Sequence, residues 1–259
     1  MQAVISVSQI YFITSILLFL SSCQQHSGLY SPSFDGIQTV YEKGQSIHSV
    51  SLGPSLGKYI NYSPLKNMAF FADARYNVNL PQLSIAMGGY SSHYSTRTFE
   101  TKSGKDENYD VGFHFDSYLG FGYHGGHEYL LNPLSTPFPP FENSADELTY
   151  QSIRTYWQTG VHLKARQFKL DMVYRLNYMD IEKLVFSPRS EYFISHVAYI
   201  AENNPYIINE LQFMIGVGSR NLRTNLGLNI AFSGEHATYI DYSKFSMVNI
   251  GFSYIFDKK

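Results

Sequence analysis

The chain has 259 residues and a formal net charge of −2, and no basic run gives a reason to expect a nucleic acid partner. Hydrophobic residues make up 44% and aromatic residues 16% of it, too much for a disordered chain. Repeated apolar runs of about 20 residues, which a bundle of membrane helices needs, are missing. With 22 Tyr, 19 Phe and 19 Gly and only 15% charged residues, the composition favours a β-rich protein that could lie in a membrane.

The first apolar segment, residues 10–20, is too short to span a bilayer but fits the core of a signal peptide. Leu20-Ser21-Ser22-Cys23 follows and resembles the lipobox of bacterial lipoproteins, which implies cleavage before Cys23 and acylation of its thiol. Cys23 is the only cysteine, so it has no internal disulfide partner. We predict a lipoprotein signal peptide at 1–22, a lipidated polar tether at 23–45 and a barrel domain at 46–259. An ordinary secretory signal peptide is the alternative.

From Ser46 onward, large apolar residues alternate with polar or small ones at a period of two, which predicts β-strands. In the last strand Ile250, Phe252 and Tyr254 alternate with Gly251 and Ser253. Ten strands are predicted: 46–53, 57–62, 67–79, 83–92, 108–124, 150–165, 167–182, 206–219, 222–233 and 244–257. Merging the first two would give nine, against the even counts of bacterial barrels, and eight strands result if both lie outside the wall.

Either a soluble sandwich or a membrane barrel could produce this alternation, and the composition of the two faces separates them. The apolar faces are bulky and continuous over many strands, whereas the polar faces are rich in glycine and small residues, which suits a crowded lumen. The chain also ends near an aromatic residue, Phe256, an ending that resembles the assembly signal of outer-membrane barrels. The predicted fold is therefore all-β, an antiparallel up-and-down transmembrane β-barrel.

The connections between the predicted strands alternate in length, as in barrels with short periplasmic turns and long outer loops. The predicted turns are 63–66, 164–167 and 219–221, and the predicted loops are 125–149, 183–205 and 234–243. Around the fourth strand the rule fails, because 79–82 is short and 93–107 is long. Loops 125–149 and 183–205 carry prolines and aromatic residues, so we expect them to be the contact surface for an outer-membrane partner.

Six basic and five acidic residues are predicted to face the lumen. They are Arg75, Arg154, Lys164, Lys169, Arg175 and Arg223 with Asp73, Asp110, Asp116, Asp171 and Glu210. A selective pore more often has one dominant sign, so near-balance favours a salt-bridged interior that keeps the barrel closed. A narrow solute or ion channel is the alternative.

Several segments resemble small outer-membrane barrel lipoproteins of the Bacteroidota. They are Tyr41-Glu42-Lys43-Gly44, Tyr62-Ser63-Pro64-Leu65-Lys66-Asn67, Gly120-Phe121-Gly122-Tyr123 and the strand pair 153–182. The resemblance implies the fold and an outer-membrane location, with outer-membrane lipid as a partner. It implies no activity, because most members of that family have no assigned function. The residues after Cys23 lack the acidic cluster that resembles a surface-export signal, which favours anchoring in the periplasmic leaflet.

Two short motifs could carry chemistry. His93-Tyr94-Ser95 with Glu107 resembles the His-x-Ser and Glu of outer-membrane lipid A deacylases, and period two puts His93 and Ser95 on one face. The predicted topology leaves them at the periplasmic end, so a hydrolase of that type is only an alternative. The run 124–128, with two His and one Glu, could bind zinc but fits no zinc-protease spacing. We predict no catalytic residue, no metal and no cofactor.

Overall fold

The computed structural model describes most of the predicted barrel domain. Described are residues 40–52, 56–77, 80–100, 106–130, 146–165, 167–187, 204–219, 221–233 and 245–256, with the single residues 194, 198, 201 and 202. The predicted signal peptide and Cys23 lie outside them. No helix in this part of the chain is long and apolar enough to cross a membrane.

Ten antiparallel strands close into one barrel, with each strand paired to its neighbour in the chain and β1 paired to β10. The strands are β1 Ser46–Leu52, β2 Leu56–Leu65, β3 Met68–Asn77, β4 Leu80–Glu100, β5 Asp106–Leu130, β6 Asp146–Ala165, β7 Phe168–Ser187, β8 Tyr206–Gly218, β9 Leu222–Ser233 and β10 Phe245–Phe256. The predicted ten-stranded up-and-down barrel is confirmed. The eight-stranded alternative is wrong, because β1 pairs with both β10 and β2 and so belongs to the wall.

The register of the strands fixes the shape of the barrel. Following paired residues around the wall from Phe168 leads back to β7 at Asp180, 12 residues further along the strand. With strands about 4.8 Å apart and a rise of about 3.3 Å per residue, this shear tilts the strands by about 40°. Such a tilt is typical of closed barrels, and the backbone radius of about 10 Å that follows lets side chains fill the interior.

The polarity of the wall is reversed relative to a soluble sandwich. The outward residues are large and apolar, such as Leu119 at 70% exposure and Ile85 at 64%, while buried Asp, Glu, Arg, Asn and Gln side chains face inward. Buried polar groups need partners and apolar surface on this scale needs a nonaqueous solvent, so this is the arrangement of a transmembrane β-barrel.

The predicted boundaries are wrong around β4 and β5. Residues 93–107 are not a long connection, because β4 and β5 stay paired as far as Glu100 and Asp106. The β3–β4 ladder ends at Gly89 and the β5–β6 ladder begins at Val111, so the pairing beyond them forms a two-stranded hairpin at the end of the barrel where the short turns lie. This end is called the turn end below, and the opposite end the loop end.

The predicted loops at the loop end are also shorter than expected, because the flanking strands continue. β5 runs to Leu130 and β6 starts at Asp146, so strand residues take up both sides of the predicted loop 125–149. Similarly, β7 runs to Ser187, into the predicted loop 183–205. By contrast, β1 has only 7 residues, so the wall is much lower at β1 and β2 than at β5 to β7.

Candidate functional site: the polar interior of the barrel

The barrel interior contains nearly all of the predicted lumen charges. Nine of them are buried, at 5% exposure or less: Asp73, Arg75, Asp116, Arg154, Lys169, Asp171, Arg175, Glu210 and Arg223. Lys164 is partly buried, and the side chain of Asp110 lies outside the described residues. The alternation places these charges inside, and the glycines among them leave the room they need.

A cluster of charged residues fills the turn end of the lumen. The His162 ring lies between two carboxylates, with Nδ1 2.7 Å from Asp171 Oδ1 and Nε2 3.1 Å from Asp116 Oδ2. Lys169 Nζ is 3.0 Å from Asp171 Oδ2. Because each carboxylate accepts a hydrogen bond, both ring nitrogens donate, which requires the imidazolium form of His162. Two cations then face two anions, and the cluster is neutral.

Gly160 makes this close arrangement feasible. It pairs directly with Asp116 across the β5–β6 ladder. A Cβ atom at Gly160 would lie 2.6 Å from Asp116 Oδ1 and 2.7 Å from His162 Nε2, closer than side-chain carbons approach such atoms. The glycine therefore supplies the space in which the carboxylate and the imidazole meet.

Residues 40–45, here called the N-terminal seal, pack into the turn end of the barrel. Val40 and Tyr41 are buried, and the Tyr41 backbone N–H donates to Gln45 Oε1 over 2.7 Å. Gly44 N donates to Ser63 O and Ser63 N donates to Gln45 O, which fixes the seal to the end of β2. Residues 40–45 belong to the predicted tether, but in the structure they are a packed part of the barrel.

The Tyr41 ring is the part of the seal that reaches the charged cluster. Its centroid lies 4.0 Å from that of His114, 5.5 Å from Lys169 Nζ and 5.7 Å from Lys164 Nζ. A neutral aromatic face attracts both ammonium groups. Burial raises the pKa of the Tyr41 phenol, so the ring stays neutral there. The His114 ring also contacts the Tyr94 ring, with centroids 4.8 Å apart, and neither His114 ring nitrogen finds a hydrogen-bond partner among the described residues.

At mid-height an arginine on β7 and a glutamate on β8, which pair directly in the register, face the lumen and are both fully buried. Arg175 Nε and Nη2 donate to Gln158 Oε1 at 3.0 and 2.5 Å, and Arg175 Nη1 lies 3.7 Å from Glu210 Oε2. The Glu210 carboxylate also accepts hydrogen bonds from Asn177 at 3.2 Å and Gln212 at 2.8 Å. This network joins inward-facing side chains of the three adjacent strands β6, β7 and β8.

Tyr156 separates two arginines in the same part of the barrel. Its ring lies 4.8 Å from the Arg175 guanidinium carbon and 5.2 Å from that of Arg154, in cation–π contact with both. The ring fits because its cross-strand partner is Gly120, where a Cβ atom would lie only 2.2 Å from Tyr156 Cζ. The Tyr156 ring therefore occupies the space that a side chain at position 120 would take.

The loop end of the lumen changes from charged to apolar. Arg75 Nε is 3.9 Å from Asp73 Oδ2, and Ser84 Oγ donates to the same carboxylate. His124 Nε2 lies 3.1 Å from Gln82 Nε2 and 3.2 Å from the Tyr150 hydroxyl. Beyond them lies an apolar cluster of Leu148, Tyr150, Met179, Tyr206, Ile208 and Ala231. The interior is thus filled over its whole described height.

The deacylase motif is not assembled into a catalytic group. His93 and Ser95 are both exposed, and both lie on the part of β4 that has passed the end of the β3–β4 ladder and pairs only with β5. Position 107 pairs with Phe99, six residues along β4 from His93, which separates the two backbones by about 20 Å. A nucleophile, its base and the group that orients the base need mutual hydrogen bonds, so this geometry does not favour hydrolysis.

The suggested zinc motif is described only in part, because the side chains at positions 127 and 128 lie outside the described residues. His124 is buried and contacts Gln82 and Tyr150, and positions 124 and 127 are three residues apart in β5, hence on opposite faces of the sheet. In the described part of the chain, no three His, Cys, Asp or Glu side chains are grouped to hold a metal ion.

Comparison with known proteins adds little to this geometry. No family model and no curated protein matches the chain. Solved structures that align with it include a NanC porin (8% identity, 83% of this chain and 99% of that one, TM-score 0.33). Others are the N-terminal β-barrel domain of Pseudomonas aeruginosa OprF (8%, 83% and 98%, 0.31) and the translocator domain of the autotransporter NalP from Neisseria meningitidis (9%, 95% and 96%, 0.31). Scores this low carry no inference about this chain.

Proposed function

We propose that this chain is an outer-membrane β-barrel lipoprotein that acts as a structural or interaction component and conducts no solute. The observation that carries the proposal is the network at mid-height, where Arg175 and Glu210 face the lumen and are fully buried. A barrel whose interior is filled in this way lets no solute pass. Its proposed role therefore lies in the contacts that its two ends make outside the membrane.

Direct contacts between opposite charges support a closed lumen. Among the buried lumen residues, five cations (Arg75, Arg154, Lys169, Arg175 and Arg223) face four anions (Asp73, Asp116, Asp171 and Glu210), and His162 adds a further positive charge. Selectivity in a pore usually comes from a ring of one sign with water between the groups. Here opposite charges contact each other directly. Opening a path for solutes would separate these buried pairs, and each charge would lose its partner.

Planar-bilayer recording tests the closed lumen. The purified protein, with insertion verified by flotation of the same preparation with vesicles, is expected to produce no unitary current steps. Steps whose size changes in Arg154→Ala or Asp116→Ala would instead establish the channel alternative, because both side chains lie in the path an ion would take. Lys183→Ala, at an exposed position near the loop end of β7, is the control that should leave any current unchanged.

The N-terminal seal supports a lipid anchor on the periplasmic side. It brings residue 40 to the turn end, where β10 also ends at Phe256, so a tether from Cys23 needs to reach only that side of the membrane. An acylated Cys23 also agrees with the resemblance to Bacteroidota barrel lipoproteins. Metabolic labelling with an alkynyl palmitate should mark the protein and fail in Cys23→Ser. An unlabelled protein cleaved at another residue would establish an ordinary secretory signal.

The loop end supplies the proposed contact surface. The segments between β5 and β6 and between β7 and β8 are the longest connections there, and the wall beneath them is the tallest part of the barrel. Purification in a mild detergent should retain a specific outer-membrane protein that is lost when residues 131–145 are deleted. Recovery as a bare monomer under all conditions would contradict this part of the proposal.

A further inference from the structure

A groove runs along the outer surface of the wall at β3. The outward residues of β3 are Phe70, Ala72, Ala74 and Tyr76, so two methyl groups lie between two aromatic rings. From Phe70 to Tyr76 the strand spans about 20 Å, which at a tilt of about 40° is about 15 Å along the barrel axis and matches the depth of one hydrocarbon leaflet. The small side chains form the floor of the groove.

Bulky residues on the neighbouring strands form the sides. Ile60 on β2 and Ile85 on β4 flank Ala72 in the register, and Phe121 on β5 follows Ile85. Two overlapping cavities of about 440 and 660 Å³ share these four residues. Their outward lining is apolar apart from Lys58 and the hydroxyls of Tyr62 and Tyr123, so the groove fits a hydrocarbon chain.

Lys58 lies at the end of the groove nearest the loop end. It pairs with Ala74 and contributes to the lining of one of the two cavities. Among the outward-facing side chains described on β1 to β5, Lys58 is the one Lys, Arg, Asp or Glu. An ammonium group on a lipid-facing wall is costly near the midplane and tolerated where it reaches the headgroups, above all an anionic one.

The low wall next to the groove brings headgroups within reach of Lys58. At a tilt of about 40° the 7 residues of β1 rise about 18 Å along the barrel axis, less than the apolar band of about 25 Å that such barrels present. The bilayer must thin or the side chain must extend to cover this mismatch. Either adjustment places lipid phosphates close to the ammonium group.

We infer that the groove on β2 to β5 binds one acyl chain of a phosphate-bearing membrane lipid, whose headgroup phosphate pairs with Lys58. The inference rests on the proposed membrane location and names a lipid of the loop-end leaflet as the ligand. The alanine floor selects a slender chain, and the lysine selects a negative charge at its end. On the described parts of β1 to β5, lipid outside the groove meets no other outward-facing Lys or Arg.

Native mass spectrometry of protein released from vesicles tests the site. The vesicles contain phosphatidylglycerol in a phosphatidylcholine background, and the readout is the number of phosphatidylglycerol molecules retained per protein. Ala72→Leu fills the floor, and Lys58→Gln removes the charge. Thr224→Leu, on the outward face of β9, and Lys183→Gln, exposed on β7, are the matched controls.

Wild type and both controls should retain one phosphatidylglycerol. The retained fraction should fall about tenfold in Ala72→Leu, which removes the space for the acyl chain, and in Lys58→Gln, which removes the charge-assisted contact. Equal retention in all five proteins would overturn the lipid site. Dimers that disappear in Ala72→Leu would assign the groove to a second copy of the chain and also overturn it. Failure of the wild type to float with vesicles would refute the proposed membrane location itself.

Discussion

The buried carboxylate of Glu210 allows a sharp test of the mid-lumen network. Oε1 accepts from Asn177 Nδ2 at 3.2 Å, while Oε2 accepts from Gln212 at 2.8 Å and from Asn229 at 3.3 Å and faces Arg175 at 3.7 Å. In Glu210→Gln, one acceptor oxygen becomes an NH2 donor. In the more favourable of the two amide orientations, this NH2 group faces the Asn177 Nδ2 donor. One hydrogen bond to a charged group is lost, and Arg175 loses its buried countercharge.

The expected cost follows from these two losses. Breaking a buried ion pair from one side typically destabilises a protein by about 3 to 5 kcal/mol, and we expect Glu210→Gln to fall in that range. In an Arg175→Met background Glu210 has already lost its countercharge, so the same substitution should cost at most about 1.5 kcal/mol, the value of the lost hydrogen bond. The difference gives a coupling energy of at least about 1.5 kcal/mol between the two side chains.

Urea unfolding in lipid vesicles measures this cycle, with the fluorescence of Trp157, the only tryptophan, as the probe. Glu182→Gln, at an exposed carboxylate on β7, is the control and should change the unfolding free energy by less than about 0.5 kcal/mol. Equal effects of Glu210→Gln in both backgrounds, or an effect as small as that of the control, would refute the reasoning.

Three further substitutions test the packing of the wall and lumen by the same unfolding assay. Gly120→Ala should cost about 1 to 3 kcal/mol because its Cβ atom would overlap the Tyr156 ring. Gly251→Ala, whose Cβ atom would have its nearest contact at 3.4 Å, should be close to neutral. Similar costs for the two substitutions would contradict the packing. His114→Phe should leave the stability unchanged or raise it by up to about 1 kcal/mol, since it removes two buried ring nitrogens without partners in the described structure, and a clear loss would show that the ring makes polar contacts. Leu119→Arg, at a position 70% exposed, should cost about 2 to 4 kcal/mol in vesicles; a change below about 0.5 kcal/mol would indicate that water, not lipid, surrounds the wall.

The barrel could be predicted from the sequence because its signal is local. In β9, Leu222, Leu226 and Leu228 alternate with Arg223 and Asn225, and one residue of slippage would turn every side chain to the wrong face. The polar faces also carry glycines at which large residues of the next strand need space, as Gly120 does for Tyr156. Strand number and the inward direction of the charges follow from this pattern alone.

The contacts inside the lumen could not be predicted in the same way, because they depend on register between strands. His162 and His114 lie on predicted polar faces, yet only the pairing of β5 with β6 and β7 brings His162 between Asp116 and Asp171. A count restricted to Asp, Glu, Lys and Arg omits this imidazolium. The sequence signal for this cluster is the presence of His114, Asp116 and His162 at inward-facing positions of β5 and β6.

The N-terminal seal and the β4–β5 hairpin were missed for a different reason. Most of residues 40–45 are polar or glycine, which is typical of a tether, and nothing local shows that Tyr41 would insert beside Lys169. In the hairpin, the stretch from Tyr94 to Glu100 has weak alternation, so it reads as a loop although it pairs throughout with β5. The positions of both segments depend on contacts with distant parts of the chain, which a local sequence pattern does not reveal.

Spin-label accessibility along β9 in vesicles tests the central claim, a membrane-embedded barrel with a closed interior, most directly. In a Cys23→Ser background, nitroxides at the outward positions Leu226 and Leu228 should collide with dissolved oxygen and not with a water-soluble nickel chelate. Nitroxides at the inward positions Asn225 and Asn229, both buried, should collide with neither reagent. Nickel collisions at the outward positions would contradict the membrane location, and nickel collisions at the inward positions would contradict the closed lumen.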